Sequence, residues 1–431
     1  MSMPAAHAYY KKIQGLVKKH ESWFSECLPL VASENVTSGA VRRVLASDLG
    51  HRYAEGEPRN RIYAGCEYID GIEEIATALG KKVFGADFVD IRPISGLVAN
   101  LAVYSALTEP GDSIMALATS DGGHISSGPR EQWGSAGLVH GLRVRNFAFD
   151  AELMNIDVDG TIRALEREGK DVKLAMFGAS LFLFPHPLKE LAGRLSEAGA
   201  VICYDAAHVA GLIGGGRFQD PLREGAEIMT FSTHKSLFGP QGGAIVARSG
   251  HEDMIKNGVF PGTTSNHHPH SSAAKAVAFA EMLQFGASYA RDVIANARAL
   301  ATRLAELGER VIGERGGYTR SHQVVLDASR YGGGIKAEKT LERMNVIVNR
   351  QGLPRGLKTE GPAPAGIRLG VTELTRLGFG RSDMVQVAEI LHGALGGRPA
   401  REVIRAAREL RKDSQTVRYS FDNSPAYLYP M

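Results

Sequence analysis

The chain has 431 residues, of which 44% are hydrophobic and 23% charged, and its net charge is +3. This length exceeds a single small core and predicts one large domain with a smaller one. Because the net charge is small and both signs are interspersed, we expect neither nucleic acid nor a membrane as a partner. No apolar run is long enough to span a bilayer and the three cysteines lack CxxC spacing. We therefore expect a cytoplasmic protein without a disulfide framework or a zinc site.

Residues 1–40 are predicted to form an N-terminal arm. Its apolar side chains recur at helical spacing, at Tyr9, Ile13, Leu16 and Val17, while lysines occupy other positions around the helix. We expect this amphipathic helix to dock on a partner subunit or on the body of its own chain.

Residues 41–280 are predicted to form a large α/β domain with a mostly parallel sheet, because short apolar runs alternate there with helical patterns. Helical periodicity is found over Gly96–Leu107 and Leu188–Glu197. The predicted strands are 89–92, 113–117, 144–149, 174–178, 200–204, 227–231 and 244–246.

Residues 281–431 are predicted to form a smaller α+β domain, reached through a long helix over 271–307. The segment 351–366 is rich in Gly and Pro and is predicted to be a loop. The tail 417–431 is expected to lie against the body. The remaining predicted elements are helices at 337–344, 384–395 and 399–412 and strands at 324–327 and 346–348.

The most informative segment is 231–243, which reads FSTHKSLFGPQGG. Its lysine, Lys235, follows an apolar run and lies 30 residues beyond Asp205, which ends another apolar run. An amine and a carboxylate at neighbouring strand ends are what pyridoxal phosphate chemistry needs. The lysine binds the cofactor aldehyde covalently, and the aspartate keeps the pyridine nitrogen protonated. A solvated surface lysine would not account for these neighbours.

Ligands of open α/β sheets bind beyond the carboxyl ends of the strands, where other candidates also lie. Ser95 and Gly96 begin a predicted helix whose N–H groups could hold a phosphate, although Ser-Gly is also an ordinary helix cap. Asp205 could likewise cap a helix, but with His208 it fits a pyridinium partner and a donor to the phenolic oxygen of the cofactor. His124 could stack on the cofactor ring, although a lone histidine is more often a loop residue.

The histidines His267, His268 and His270 raise the question of a metal. Pro269 interrupts the helical spacing that most histidine metal motifs use, and no acidic residue lies close in sequence. We predict no metal site.

Seven motifs in chain order resemble those of the serine hydroxymethyltransferase family of pyridoxal phosphate enzymes, and they cover residues 25 to 395 approximately. The motifs are LVASEN at 30–35, RYAEG at 52–56, YAGCEYID at 63–70, YDAAHVAGL at 204–212, STHK at 232–235, FPGT at 260–263 and GIRLG at 366–370. The resemblance implies fold type I of the pyridoxal-phosphate-dependent transferases. It also implies a homodimer with shared active sites, or a tetramer of two such dimers.

The resemblance implies a role for each matching residue. Lys235 would bind the cofactor aldehyde, Asp205 the pyridine nitrogen and His208 the phenolic oxygen. His124 would stack on the ring, and Arg368 would clamp the substrate carboxylate through two parallel hydrogen bonds. The other implied cofactor-binding residues are Ser95, Gly96, Ser180, Ser232, His234, Tyr53, Gly262 and Thr263. The other implied residues on the substrate side are Ser33, Tyr53, Glu55 and Tyr63, several of them acting across a dimer interface.

The reaction implied is cleavage or formation of the Cα–Cβ bond of a β-hydroxy-α-amino acid, with Glu55 as the acid/base that handles the substrate hydroxyl. The catalytic residues would be Lys235, Glu55, Tyr63 and His124. In the family the usual pair is serine and tetrahydrofolate, which places the reaction in amino-acid and one-carbon metabolism.

Some positions depart from the family pattern. Ile62 replaces a tyrosine near the folate, Gln241 replaces an arginine of many bacterial and eukaryotic members, and the loop after Pro261 lacks a double glycine. Several of these changes are similar to archaeal-type members. Asn349 still matches a position that contacts folate.

Three alternatives therefore stay open. The first is a folate-dependent serine enzyme, and the second is a folate-independent aldolase or transaldolase for threonine or α-methylserine, which Ile62 favours. The third, a non-catalytic scaffold, is disfavoured by the joint presence of Lys235, Asp205, His208, Glu55 and Arg368.

Overall fold

The structure is a computed structural model that describes residues 3–168, 171–357 and 359–427. Its helices are α1 Met3–Ser25, α2 Gly39–Leu45, α3 Glu67–Phe84, α4 Gly96–Leu107, α5 Ser135–His140, α6 Val158–Glu168, α7 Leu188–Glu197, α8 Ala210–Gly214, α9 Pro221–Glu224, α10 Glu252–Val259, α11 Pro269–Glu306, α12 Gly334–Glu342, α13 Thr372–Arg376, α14 Arg381–Leu395 and α15 Ala400–Arg411. Its strands are β1 Leu28–Pro29, β2 Gly56–Glu57, β3 Asn60–Arg61, β4 Phe88–Asp90, β5 Ser113–Ala116, β6 Arg143–Asn146, β7 Phe149–Asp150, β8 Asn155–Ile156, β9 Val172–Gly178, β10 Val201–Asp205, β11 Ile228–Ser232, β12 Gly243–Ala247, β13 Gln323–Asp327, β14 Val346–Ile347, β15 Asn349–Gln351 and β16 Gly366–Gly370.

The central sheet has seven strands in the order β4-β12-β11-β10-β9-β5-β6. Only β12 runs antiparallel to its neighbours β4 and β11, and the other pairs are parallel. The predicted α/β fold with a mostly parallel seven-stranded sheet is therefore confirmed. Parallel strands need cover on both faces, which explains why these strands read as continuous apolar runs rather than alternating ones.

Successive side chains of the central strands point to opposite faces of the sheet and enter two separate hydrophobic clusters. Tyr204 and Phe231 belong to one cluster, whereas Cys203 and Ile228 belong to the other. Both faces of the sheet are thus covered by packed side chains. The carboxyl ends of its strands remain available to form a site.

Two predicted strands are wrong in part. The strand at 144–149 ends at Asn146, because Phe149–Asp150 leaves the sheet and pairs with Asn155–Ile156 in a local antiparallel ladder. The strand at 346–348 divides in two, because its first half pairs in parallel with β1 and the chain after it pairs with β16. The predicted loop at 351–366 is one residue shorter at each end, because β15 ends at Gln351 and β16 begins at Gly366, and residue 358 lies outside the described residues.

The smaller sheet has the order β13-β16-β15 and is antiparallel throughout. Helix α11 contacts α2, α3 and α8 and also α13 and α14. The predicted domain boundary at residues 280/281 falls within this helix. The division into an arm and two domains stays a prediction.

The first and last described segments lie on the surface. Helix α1 exposes its apolar residues Tyr9, Ile13 and Leu16. The tail packs against α2, where Ser424 accepts a hydrogen bond from the N–H of Gly39, while residues 428–431 lie outside the described part of the chain. None of the helices in the described ranges is both long and apolar enough to cross a bilayer.

Candidate active site

Three adjacent strands bring the candidate residues to one edge of the sheet. Strand β10 ends at Asp205 and β11 ends at Ser232, three residues before Lys235, while β9 ends just before Ser180. Because the strands are parallel, their carboxyl ends meet at this edge, as the sequence predicted.

The amine of Lys235 lies 3.4 Å from Nε2 of His208. Burial lowers the pKa of Lys235 to about 8, although the nearby Asp205 carboxylate acts in the opposite direction. The carbonyl of Lys235 accepts a 2.9 Å hydrogen bond from the side chain of Asn35, which fixes the backbone at this point. The structure thus holds a lysine that is partly neutral near physiological pH, as a nucleophilic amine requires.

Asp205 is buried, and the hydrogen-bond partners of its carboxylate in the described part of the chain are uncharged. Its Oδ2 accepts a 2.8 Å hydrogen bond from Nδ2 of Asn100, and its Oδ1 accepts one of 2.9 Å from the N–H of Ala207. A buried carboxylate without a cationic partner is costly unless a positive group reaches it. A protonated pyridine nitrogen would be such a group.

Both predicted histidines lie beside Lys235 and Asp205. The Nδ1 of His124 accepts a 3.1 Å hydrogen bond from the N–H of Ser126, so a neutral ring carries its proton on Nε2. Burial lowers the pKa of His124, and burial with the charges of Lys235 and Arg368 holds the pKa of His208 well below its usual range. Both rings are therefore neutral.

Two glycines allow the start of α4 to lie against the end of β11 and the beginning of β12. A Cβ on Gly96 would lie 2.4 Å from Oγ of Ser232, and a Cβ on Gly243 would lie 2.2 Å from the carbonyl oxygen of Ser95. The first N–H groups of a helix have no intrahelical partner, and the Ser95 hydroxyl accepts only that of Val98. Together with a buried His234 ring nitrogen that has no partner in the described residues, this cradle fits a phosphate group.

Arg368 is buried in the middle of β16, and its guanidinium forms no salt bridge within the described ranges. One nitrogen donates to the carbonyl of Ser180 at 2.6 Å, and two others lie 3.4 Å from Oδ1 of Asn349. Burial lowers the pKa of Arg368 to about 10. A buried guanidinium without a carboxylate partner in the described ranges is suited to bind the carboxylate of a substrate.

A separate group at the surface consists of Tyr53, Glu55, Ile62 and Tyr63. In this group Tyr53 packs against Tyr63, with ring centroids 5.2 Å apart. Glu55 accepts a 2.6 Å hydrogen bond from Ser265, in the loop that follows Gly262 and Thr263. Among the described residues, the contacts of this group join it to itself and to that loop, not to Lys235. It includes Ile62, whose side chain is 65% exposed. Ser33 is half-buried and lies apart from the group, beside Ala32, whose carbonyl accepts from His322.

Sequence reasoning missed the side chains that hold the site residues in place, namely Asn100 and Gln323. Asn100 contacts Asp205 and Ser126, and Gln323 contacts His208 and Ser180. The available signal for Asn100 was its position as a lone amide in the apolar helix α4. Gln323 had no comparable local signal, because its partners are distant in sequence.

The donor set as a whole fits pyridoxal phosphate. The cradle at α4 suits the phosphate, Asp205 the ring nitrogen and Lys235 the aldehyde, while Arg368 is left for the substrate.

Known proteins support this interpretation. The family model described as serine hydroxymethyltransferase matches residues 7–391. A protein named serine hydroxymethyltransferase from Cenarchaeum symbiosum is 53% identical over 427 residues, which is 97% of each chain. One of that name from Korarchaeum cryptofilum is 50% identical and covers 97% of this chain and 99% of its own.

Among solved structures, the chain is similar to an L-threonine transaldolase from Pseudomonas fluorescens. The TM-score is 0.85 at 29% identity, and the match covers 99% of this chain and 96% of the other. Since the family model matches most of the chain and the relatives match nearly all of it, this protein belongs to the serine hydroxymethyltransferase family of pyridoxal-phosphate-dependent transferases.

Proposed function

We propose that this enzyme cleaves and forms the Cα–Cβ bond of a β-hydroxy-α-amino acid, with serine as substrate and tetrahydrofolate as acceptor of the one-carbon unit. The observation that supports this most strongly is that Lys235 and Asp205, at one edge of the central sheet, meet the buried Arg368 of the smaller sheet. When bound, pyridoxal phosphate supplies a ring that accepts the electron pair of the breaking bond.

The residues of the chain bind and orient the reactants. Arg368 would hold the substrate carboxylate through two parallel hydrogen bonds, which fixes the direction of the Cα–Cβ bond. Asp205 would keep a proton on the pyridine nitrogen, and His124 would cover one face of the ring. The neutral amine of Lys235 would take up the covalent link to the cofactor and give it up to the substrate amine.

The substrate hydroxyl must lose a proton as the bond breaks, and we propose Glu55 for this task, from a second subunit. Glu55, Tyr53 and Tyr63 lie together at the surface of their own chain, and within the ranges that the structure describes they make no contact with their own Lys235. An exposed aromatic pair beside a carboxylate suits an interface in which each chain completes the site of its partner. A homodimer is the smallest assembly with this property.

A folate-independent transaldolase is the second candidate. The observations that favour it are Ile62, which offers no aromatic ring for stacking, and the likeness to a solved L-threonine transaldolase. A stacking ring is worth about 1 kcal/mol beyond its buried area, so its absence weakens folate binding without excluding it.

The two candidates differ in what stimulates turnover. The holoenzyme is given serine or threonine, each with and without tetrahydrofolate, and glycine and aldehyde are measured. The proposal predicts serine cleavage that tetrahydrofolate stimulates. Threonine turnover without folate, together with no effect of folate on serine cleavage, would support the second candidate instead of the first.

Ile62→Tyr is the matched variant, and it should lower the KM for tetrahydrofolate without changing the KM for serine.

A further inference from the structure

We propose that Gln323 is a positioning residue that fixes His208 in one tautomer, with its single ring proton on Nε2 facing Lys235. Gln323 begins β13 in the smaller sheet, whereas His208 follows β10 in the central sheet, and both side chains are buried. The tautomer follows from hydrogen bonding alone, and only its catalytic consequence rests on the proposed function.

The orientation of the Gln323 amide is determined by two backbone groups. The N–H of Phe182 lies 2.8 Å from Oε1, and a backbone N–H can only donate, so this atom is the amide oxygen. The other amide atom, Nε2, lies 3.0 Å from the carbonyl oxygen of Ser180, which can only accept. Both contacts require the same orientation, so the amide cannot be reversed.

The second hydrogen of the same NH₂ group reaches His208. Nε2 of Gln323 lies 3.1 Å from Nδ1 of His208. Because an amide nitrogen only donates, Nδ1 must accept and therefore carries no proton. A neutral imidazole with a bare Nδ1 has its proton on Nε2.

The doubly protonated ring is disfavoured by its surroundings. Burial is the main cause that holds the pKa of His208 well below its usual range, and the cations that face it, Lys235 and Arg368, act in the same direction. The other titratable groups that face it are the rings of His322 and His124. The His322 ring also stacks on His208, with centroids 5.8 Å apart and planes 15° from parallel, and so restricts the plane of the ring. His208 is thus held in orientation by His322 and in tautomer by Gln323.

This tautomer affects the catalytic lysine. The Nε2–H of His208 points to the Lys235 amine 3.4 Å away, where a neutral amine offers a lone pair. An ammonium group would instead place two donors against each other. Gln323 therefore favours the nucleophilic, neutral form of Lys235, and it leaves a donor in place for an oxygen of the bound cofactor.

The direct test is solid-state ¹⁵N NMR of the full-length protein labelled at histidine, with and without pyridoxal phosphate. The His208 signals are assigned by their loss in His208→Asn. We expect an unprotonated Nδ1 and a protonated Nε2 from about pH 6 to about pH 9. A protonated Nδ1 in the unaltered protein would overturn the proposal, and this measurement needs no variant at position 323.

Two variants test the cause. Gln323→Met removes the donor without adding charge, so both tautomers should appear, and kcat should fall about tenfold with KM for the amino acid changed less than about twofold. Gln323→Glu places an acceptor opposite Nδ1, which should then become protonated. Gln351→Met, in strand β15 of the same sheet, is the control and should change neither the tautomer nor kcat.

A Gln323→Met protein that retains one tautomer and the original kcat would refute the role of Gln323. A protein with the expected tautomer that never binds pyridoxal phosphate would contradict the proposed function and leave the tautomer assignment standing.

Discussion

The side chain of Asn100 donates a 2.8 Å hydrogen bond to the carboxylate of Asp205 from inside the apolar helix α4. The same NH₂ group donates to Ser126 at 2.9 Å, and the Asn100 oxygen accepts from Thr230 at 2.6 Å. Asn100 thus fixes the carboxylate that is proposed to meet the pyridine nitrogen.

Asn100→Ala should weaken binding of pyridoxal phosphate about tenfold or more, because a hydrogen bond to a charged group contributes about 1.5–3 kcal/mol. Titration of the cofactor-free protein by absorbance measures this. Ser126→Ala is the control, since it leaves the Asn100–Asp205 bond in place and should weaken binding less than about threefold. Unchanged affinity in Asn100→Ala would show that Asp205 needs no such support.

Gly96→Ala should close the proposed phosphate cradle. The added Cβ would lie 2.4 Å from Ser232 Oγ and 3.1 Å from its backbone nitrogen, so the start of α4 must move away from β11. We expect a loss of affinity for pyridoxal phosphate of at least about tenfold, with a smaller loss for pyridoxal, which has no phosphate. Gly193→Ala in α7 meets no atom within 4 Å and should bind the cofactor normally. Equal losses for both ligands in Gly96→Ala would place the phosphate elsewhere.

Arg368→Lys should lower kcat/KM for the amino acid about a hundredfold and leave cofactor binding unchanged. An ammonium group keeps the charge but cannot form two parallel hydrogen bonds with a carboxylate. Steady-state kinetics with serine measures the effect. Arg350→Lys in the same sheet, where Arg350 is exposed and bound to Glu338, is the matched control and should behave like the unaltered enzyme. Ordinary kinetics in Arg368→Lys would remove Arg368 from the substrate site.

Cofactor uptake should depend on pH through Lys235. Only the neutral amine attacks the aldehyde, and burial lowers the pKa of Lys235 to about 8. The rate of covalent uptake by cofactor-free enzyme should therefore rise with pH up to about 8 and level off above it. A rate that continues to rise to about pH 10, as for an ordinary lysine, would contradict this environment. Rapid-mixing absorbance measurements over this pH range decide between the two.

The sequence predicted the central sheet well because its inner strands are short apolar runs that indicate their own burial, whereas the edge strand β6 is largely polar. Lys235, Asp205 and His208 were proposed from the sequence for the same reason, since each lies at the end of such a run or within three residues of it. The sequence did not predict that 144–149 divides between two sheets. Phe149–Asp150 can pair either within the central sheet or with Asn155–Ile156, and the residue types do not decide between these two pairings.

The supporting residues were missed for a different reason. Gln323 meets His208 across 115 positions of sequence, and Asn100 meets Asp205 across 105. Such contacts are produced by the packing of α4 and β13 against the ends of the central strands. A single sequence has no local pattern that records them.

The account depends on a covalent bond between Lys235 and the cofactor aldehyde. The most direct measurement is borohydride reduction of the cofactor-saturated enzyme, followed by proteolysis and peptide mass mapping, with Lys235→Ala as control. We predict a pyridoxyl group on the peptide that contains Lys235, and none on that peptide in the variant. A saturated, reduced enzyme without this adduct, or with the adduct on another lysine, would contradict the account.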